Sequence, residues 1–216
     1  MHCYYAPNLK LISVGYTPLA GQIFGWVINV FGNDVRFVRF CALLFGVGAV
    51  LLCGMIVKKM TRNTFLAFVA AALAVAVEPK WFMDIGPNTI HVFFVLAGLY
   101  FLVLDNRAGQ WRRMICALLC FFSAFWAKQT GLGYVVVALV YILVLNVRRG
   151  LILSVAMIAL IALSSVYFER LPDSNFIHHV FQASNQPLIW SRLWDPIFFP
   201  ILTGRFGLFL CMVVMG

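Results

Sequence analysis

The segment from Met114 to Val147, MICALLCFFSAFWAKQTGLGYVVVALVYILVLNV, decides how this chain folds. Two apolar runs, Met114–Ala127 and Gly131–Val147, flank one cation, one amide and one hydroxyl at Lys128–Thr130. Because a membrane-spanning helix needs about 20 mainly apolar residues, the segment predicts two spans rather than one. The charge of Lys128 then belongs either to a turn at the membrane surface or to a functional group inside the membrane.

The composition of the whole chain is that of an integral membrane protein. Its 216 residues are 63% hydrophobic and 11% charged, whereas soluble domains carry about 25% charged residues. No polar stretch is long enough to form a soluble domain. The net charge of +9 does not indicate nucleic-acid binding, because the charges are distributed among the connections between apolar runs, where they set orientation.

The six cysteines do not indicate a metal site or a disulfide framework. Most lie in apolar segments, and none forms a CxxC pair. Cys116 and Cys120 are four apart and share a helix face, a spacing that can hold a metal. No His or carboxylate lies nearby in the sequence to complete such a site, so buried thiols are favoured.

The apolar runs predict an all-α fold, a polytopic bundle of transmembrane helices that forms a single membrane domain over residues 1–216. The run Leu19–Phe31 is too short to span and is predicted to be a short interfacial or re-entrant helix near the N-terminus. Spans are predicted at 38–57, 64–82, 89–104, 114–127, 131–147, 151–168 and 197–216. The long polar stretch 169–195 is predicted to be an external loop.

The connections between these spans alternate in charge. Three of them carry a cluster of basic residues, which are Lys58, Lys59, Arg62, Arg107, Arg112, Arg113, Arg148 and Arg149. The other connections hold most of the acidic residues. By the positive-inside rule, connections 58–63, 105–113 and 146–150 are predicted to face the cytoplasm. The N-terminus of this chain and the turn at Lys128 are therefore predicted on the non-cytoplasmic side.

This orientation has a consequence for the N-terminal segment. It carries Lys10, Arg36 and Arg39 and would have to cross the membrane with no span before it. The last predicted span also stops abruptly with the chain at Gly216. The chain is therefore expected to be a fragment of a longer membrane domain that lacks at least one N-terminal span. A bacterial plasma membrane is favoured over a eukaryotic endoplasmic reticulum.

Candidate polar residues gather on the predicted non-cytoplasmic side. Arg36 and Arg39 open the first span, where they can bind an anionic head group or act as interfacial anchors. Asp84 shares a short connection with other charged residues, for which a local ion pair is the simpler interpretation. The loop 169–195 contains two adjacent histidines, and a solvated loop is favoured there over a metal site.

Four short elements follow one another in a specific order: Gly15-Tyr16-Thr17-Pro18-Leu19, then Phe31-Gly32 with Val35-Arg36-Phe37-Val38-Arg39, then Asp84-Ile85-Gly86-Pro87-Asn88-Thr89, and Ala127-Lys128-Gln129-Thr130-Gly131-Leu132. They resemble motifs of the GT-C type polytopic glycosyltransferases, in the group of dolichyl- or polyprenyl-phosphate-sugar-dependent mannosyl- and arabinosyltransferases. The first is similar to that family's Tyr-x-Pro-Leu element, and the last to its Thr-Lys-x-Thr-Gly-Leu turn. The residues that carry the first and last motifs are Tyr16, Pro18, Gln129, Thr130 and Gly131.

The resemblance implies an inverting transfer of a sugar from a polyprenyl-phosphate-linked donor to an acceptor on the non-cytoplasmic face. It implies that cations at the outer interface bind the donor phosphate, here Lys128, Arg39 and Arg36. It also implies a carboxylate in the first external loop, but residues 1–15 contain no Asp or Glu. The chain alone is therefore expected to be inactive, with Asp84 as an auxiliary polar group.

The partners implied are membrane lipid and the lipid-linked sugar donor, with no nucleic acid. The sequence identifies no particular cofactor, and a divalent metal is left open. The competing hypothesis is a non-enzymatic polytopic protein, a transporter or an assembly subunit. Transporters tend to show internal repeats and polar groups at mid-membrane. Here the charges stand at the ends of the spans, which disfavours transport.

Overall fold

The computed structural model describes residues 18–32, 34–77, 86–104, 111–128 and 130–170. Within these residues the chain forms seven helices and no strand. The helices are α1 (Leu19–Phe31), α2 (Val35–Thr61), α3 (Thr64–Val77), α4 (Pro87–Leu104), α5 (Trp111–Ala127), α6 (Gly131–Leu145) and α7 (Val147–Glu169). The predicted all-α helical fold is confirmed. The predicted span 197–216 and nearly all of the loop 169–195 lie outside the described residues.

Helix α2 is longer than the apolar run from which a span at 38–57 was predicted. It begins three residues earlier, where the Asp34 side chain accepts a hydrogen bond of 2.9 Å from the backbone N–H of Arg36. It continues through Lys58 and Lys59 and ends where Arg62 adopts a left-handed conformation with φ of 56°. The ends of an apolar run mark where the chain leaves the apolar layer of the membrane. The helix itself continues until its backbone is capped.

Helix α7 shows the same difference at its N-terminus. The apolar run predicts a span from residue 151, but the helix begins at Val147. The Asn146 side chain accepts a hydrogen bond of 3.0 Å from the backbone N–H of Arg149 and so caps the first turn. Arg148 and Arg149 therefore belong to a helix end rather than to a loop.

Helix α4 lies at the centre of the described bundle, packed on one side against α2 and on the other against α5. The contact with α5 is close, because a Cβ atom on Gly98 would lie 2.8 Å from the ring of Phe121. Phe121 and Phe125 of α5 are almost completely buried in the cluster that joins α4, α5, α6 and α7. Burying large aromatic side chains on one face of α5 fixes how these helices pack.

The helices place the charged residues at two opposite ends of the bundle. At one end, the Arg149 guanidinium lies 5.6 Å from the centroid of the Trp111 ring, and Arg113 donates a hydrogen bond of 2.8 Å to the Leu104 carbonyl. This end, with Lys58, Lys59, Arg62, Arg112, Arg113, Arg148 and Arg149, is called the basic end. The other end, where α5 meets α6, is called the Lys128 end.

Helix α1 packs at the Lys128 end. Its buried residues Phe24 and Val27 share a cluster with Val38 of α2, Ile90 of α4 and Ala127 of α5. The start of α2, the start of α4 and the end of α5 are therefore neighbours. Whether α1 lies along the membrane interface stays a prediction.

The outward faces of the helices are apolar, as lipid contact requires. Large exposed hydrophobic side chains occur along α2, α6 and α7. Three of the described helices, α2, α4 and α7, are long and apolar enough to cross a membrane. Together these features identify a multi-pass integral membrane protein.

Candidate functional site

A tight turn joins α5 to α6 at the centre of the Lys128 end. The backbone N–H of Lys128 donates to the Ala124 carbonyl at 2.9 Å, which completes the last turn of α5. The Lys128 carbonyl then accepts from the N–H of Gly131 at 2.8 Å. Gly131 is buried, and a Cβ atom there would lie 2.6 Å from the Cα of Phe125. Only glycine lets the chain turn back this close to the α5 backbone.

The side chain of Lys128 is held by a residue far away in the sequence. Its Nζ donates a hydrogen bond of 2.8 Å to Oδ1 of Asn88, and the contact is partly buried. Asn88 follows Pro87, the first residue of α4. The ammonium group therefore stands beside the N-terminus of a helix, whose unpaired N–H groups carry a partial positive charge.

Two further helices begin at this end, α2 at Val35 and α6 at Gly131. Each contributes a partial charge of roughly +0.5 at its N-terminus. Helices α3, α5 and α7 end at the same end and contribute roughly −0.5 each, so the partial charges of the helix ends offset one another. The full charge of Lys128 is therefore what makes this turn suited to an anion.

One turn further into α4, His91 contacts both α5 and α6. Its Nδ1 lies 3.1 Å from the Ala124 carbonyl, the group that also accepts from the Lys128 N–H. A carbonyl only accepts, so Nδ1 carries a proton. The His91 ring is buried, with its centroid 5.7 Å from that of Tyr134 on α6. His91 thus fixes the position of α5 and α6 beside Lys128.

The two arginines predicted to bind phosphate lie on the first turns of α2. Arg36 and Arg39 are three residues apart, which places them on one face of the helix, and both are exposed. Between them, Val38 is buried in the cluster that contains Ala127, the neighbour of Lys128. The structure therefore places both arginines at the Lys128 end, with no direct contact to Lys128 among the hydrogen bonds of the described residues.

The remaining predicted residues divide between described and undescribed parts of the chain. Pro18 is buried at the start of α1, where its carbonyl accepts from the Gln22 N–H at 2.9 Å. Thr130 is exposed in the turn before α6. Tyr16, Asp84 and Gln129 lie outside the described residues, so their roles in the site stay predictions.

A small cavity of about 210 Å³ lies near the Lys128 end, between α1, α5 and α7. The side chains of Trp126 and Phe168 form aromatic walls, and Gln22, Ser123 and Ser164 supply polar groups. Neither Lys128 nor Arg39 lines this cavity. Within the described residues, this cavity is therefore distinct from the site formed by Lys128 and Arg39.

A metal site is not formed by the part of the chain that the structure describes. No three His, Cys, Asp or Glu side chains come together there in a way that could hold a metal ion. Cys116 and Cys120 are free thiols on α5. The question of a divalent metal stays open for the whole chain.

Sequence reasoning did not identify Asn88, His91 and Tyr134 as members of this site. Asn88 enters the sequence interpretation only as part of the third motif, residues 84–89. One signal could have found it, because Asn88 and Lys128 stand at predicted span ends on the same side of the membrane. His91 could have been noted as an isolated polar residue three positions after Asn88, on the same face of a helix.

These features define a class of protein: a multi-pass helical membrane protein that holds a fixed cation where several helix N-termini meet. The family model for dolichyl-phosphate-mannose-protein mannosyltransferases matches residues 16–168 of the chain. The chain therefore belongs to this family of membrane glycosyltransferases of the GT-C type, which use polyprenyl-phosphate sugar donors. No curated protein and no solved structure gives a significant match.

Proposed function

We propose that this chain takes part in transferring a sugar from a polyprenyl-phosphate donor to an acceptor on the non-cytoplasmic side of the membrane. The observation that carries the proposal is the position of Lys128. Its ammonium group is held by Asn88 where α2, α4 and α6 begin, at the end of the bundle opposite the basic end. Membership in the mannosyltransferase family supports the reaction class.

The hydrogen bonding of Lys128 suits a phosphate contact. An ammonium group has three N–H donors, and Asn88 accepts one of them. The other two N–H donors can bind phosphate oxygens. The leaving group of the reaction is the lipid phosphate, and a fixed cation stabilises the charge that develops on it as the sugar departs. Because Asn88 orients the ammonium before the donor arrives, little reorganisation is needed.

Arg39 and Arg36 are proposed as further contacts for the donor phosphate. Both are exposed at the start of α2, at the same end as Lys128. A guanidinium can bind a phosphate through two parallel hydrogen bonds. Asp84 is proposed as an auxiliary polar group. The acceptor hydroxyl also needs a carboxylate base, and no residue of this chain is assigned to that role.

The proposed sidedness follows from the charges. Seven basic residues lie at the basic end, and the positive-inside rule assigns that end to the cytoplasm. The Lys128 end is then non-cytoplasmic, where the head group of a flipped lipid-linked sugar is found. The same proposed topology includes the predicted membrane spans and places the N-terminus of this chain on the non-cytoplasmic side.

Binding of two donor classes to the full chain in neutral detergent tests the proposal. Polyprenyl-phosphate mannose should bind in the micromolar range, and GDP-mannose should not bind at the same concentrations. Binding of the nucleotide sugar alone would contradict the donor class. Binding of neither would contradict the enzymatic function and favour a transporter or an assembly subunit.

A further inference from the structure

A large open groove lies at the basic end, far from Lys128. Its volume is about 1020 Å³, and it is lined by the last turns of α2, α4 and α6. Helix α4 forms the floor, because α2 packs closely against α4 while α6 packs chiefly against α5 and α7. The groove is therefore open between α2 and α6.

Three cations line this groove: Lys58, Lys59 and Arg62, all of them exposed. Within the described residues, no carboxylate lines it with them. Three helix C-termini nearby contribute partial charges of roughly −0.5 each. Since three full positive charges exceed three half negative ones, the described residues around the groove carry a net positive charge.

The other walls match the parts of a lipid. Tyr100 and Tyr141 line the same groove as the cations and carry hydroxyl groups, and Met55, Leu102 and Leu145 provide apolar surface. A phosphate group accepts hydrogen bonds from ammonium, guanidinium and phenol donors. Acyl chains need an apolar path into the membrane, which the exposed side chains of α2 and α6 supply.

We propose that this groove binds one anionic glycerophospholipid, with its phosphate between Lys58, Lys59 and Arg62 and its acyl chains along α2 and α6. Basic pockets between transmembrane helices on the cytoplasmic side are suited to such head groups. The site is independent of the donor site at Lys128, and its assignment does not depend on the sugar-transfer reaction.

Native mass spectrometry of the full chain in neutral detergent tests this assignment. Phosphatidylglycerol and phosphatidylcholine with identical acyl chains are titrated separately. One phosphatidylglycerol should bind roughly 30- to 150-fold more tightly than phosphatidylcholine, as expected for two or three cations near a lipid surface at about 1 kcal/mol each. Equal binding of the two lipids overturns the proposal.

Two pairs of substitutions separate a lipid site from a general effect of charge. The variant Lys58→Gln/Lys59→Gln should lose the preference for phosphatidylglycerol. The variant Arg112→Gln/Arg148→Gln removes the same charge from exposed residues at the same end that do not line the groove, and should keep the preference within about twofold. Equal losses in both variants overturn the proposal.

Two further measurements identify the ligand as a lipid. Tyr141→Phe removes only an exposed hydroxyl and should weaken phosphatidylglycerol binding about threefold, as loss of one hydrogen bond predicts. Soluble glycerol 3-phosphate at the same concentration should not displace the lipid, because it lacks acyl chains. Displacement by glycerol 3-phosphate overturns the assignment.

Discussion

Nζ of Lys128 lies 2.8 Å from Oδ1 of Asn88, a hydrogen bond between residues forty positions apart in the sequence. It connects the turn after α5 to the first turn of α4. The Lys128 backbone is fixed separately, through its N–H bond to the Ala124 carbonyl. Both the backbone and the tip of the lysine are therefore held, which is what a pre-positioned cation requires.

A double-mutant cycle measures this bond. Lys128→Ala and Asn88→Ala each remove one partner, and the double variant removes both. We expect a coupling energy of about 1 kcal/mol, because a partly buried hydrogen bond from a charged donor is stronger than one at the surface. Unfolding of the chain in mixed micelles provides the free energies. Strictly additive effects of the two substitutions would show that the bond is absent in the membrane protein.

Gly131 is expected to be essential to the turn. In Gly131→Ala the new Cβ would meet the backbone of Phe125, so α5 and α6 must separate, at a cost of about 1–3 kcal/mol. Gly133→Ala is the matched control, because its Cβ would meet nothing within 4 Å. The control should leave the stability unchanged or raise it by up to about 1 kcal/mol through helix propensity. The same free energy of unfolding for both variants would refute the close approach.

The sequence predicted the helical membrane fold because apolar runs are a direct consequence of burial in lipid. It also predicted where the basic residues would gather, since charge is excluded from the hydrocarbon layer. The predicted positions of the helix ends were less accurate. Lys58, Lys59, Arg148 and Arg149 continue the helices beyond the apolar runs, because backbone capping rather than hydropathy ends a helix.

The composition of the site could be predicted only in part. The importance of Lys128 followed from its isolation between two apolar runs. Its bond to Asn88 did not, because that contact depends on the start of α4 packing beside the end of α5. Likewise, His91 and Tyr134 come together only when α4 and α6 are placed on either side of the turn.

Sidedness can be measured with a membrane-impermeant maleimide on single-cysteine variants. With the six native cysteines replaced by alanine, Thr130→Cys should be labelled from the non-cytoplasmic side. Lys59→Cys should be labelled from the cytoplasmic side, because the basic end is expected there. Labelling of both variants from one side would contradict the placement of the two ends on opposite sides of the membrane. Labelling of Thr130→Cys from the cytoplasmic side and of Lys59→Cys from the other side would contradict the predicted orientation.

Arg39 should contribute to the affinity for polyprenyl phosphate. Arg39→Gln is expected to weaken binding about fivefold, the effect of one cation near a lipid head group. Arg112→Gln, an exposed arginine at the basic end, serves as the control and should bind like the parent chain. If both variants bind polyprenyl phosphate equally, Arg39 is an interfacial anchor and not a phosphate contact.

The measurement that tests the central claim most directly compares polyprenyl phosphate with the neutral polyprenol of the same length. The two ligands differ only in the phosphate, so the ratio of their dissociation constants reports the phosphate contacts alone. Parent chain, Lys128→Gln and Lys128→Arg are compared, with Arg148→Gln as a control for net charge. All four are measured as the full chain in the same detergent.

If Lys128 binds the donor phosphate, the preference for phosphate over alcohol should fall about tenfold in Lys128→Gln, in line with loss of a pre-positioned charged donor. Lys128→Arg should recover part of the preference, and Arg148→Gln should keep it. An unchanged preference in Lys128→Gln would contradict the account and would make the lysine a structural link between α4 and the α5–α6 turn.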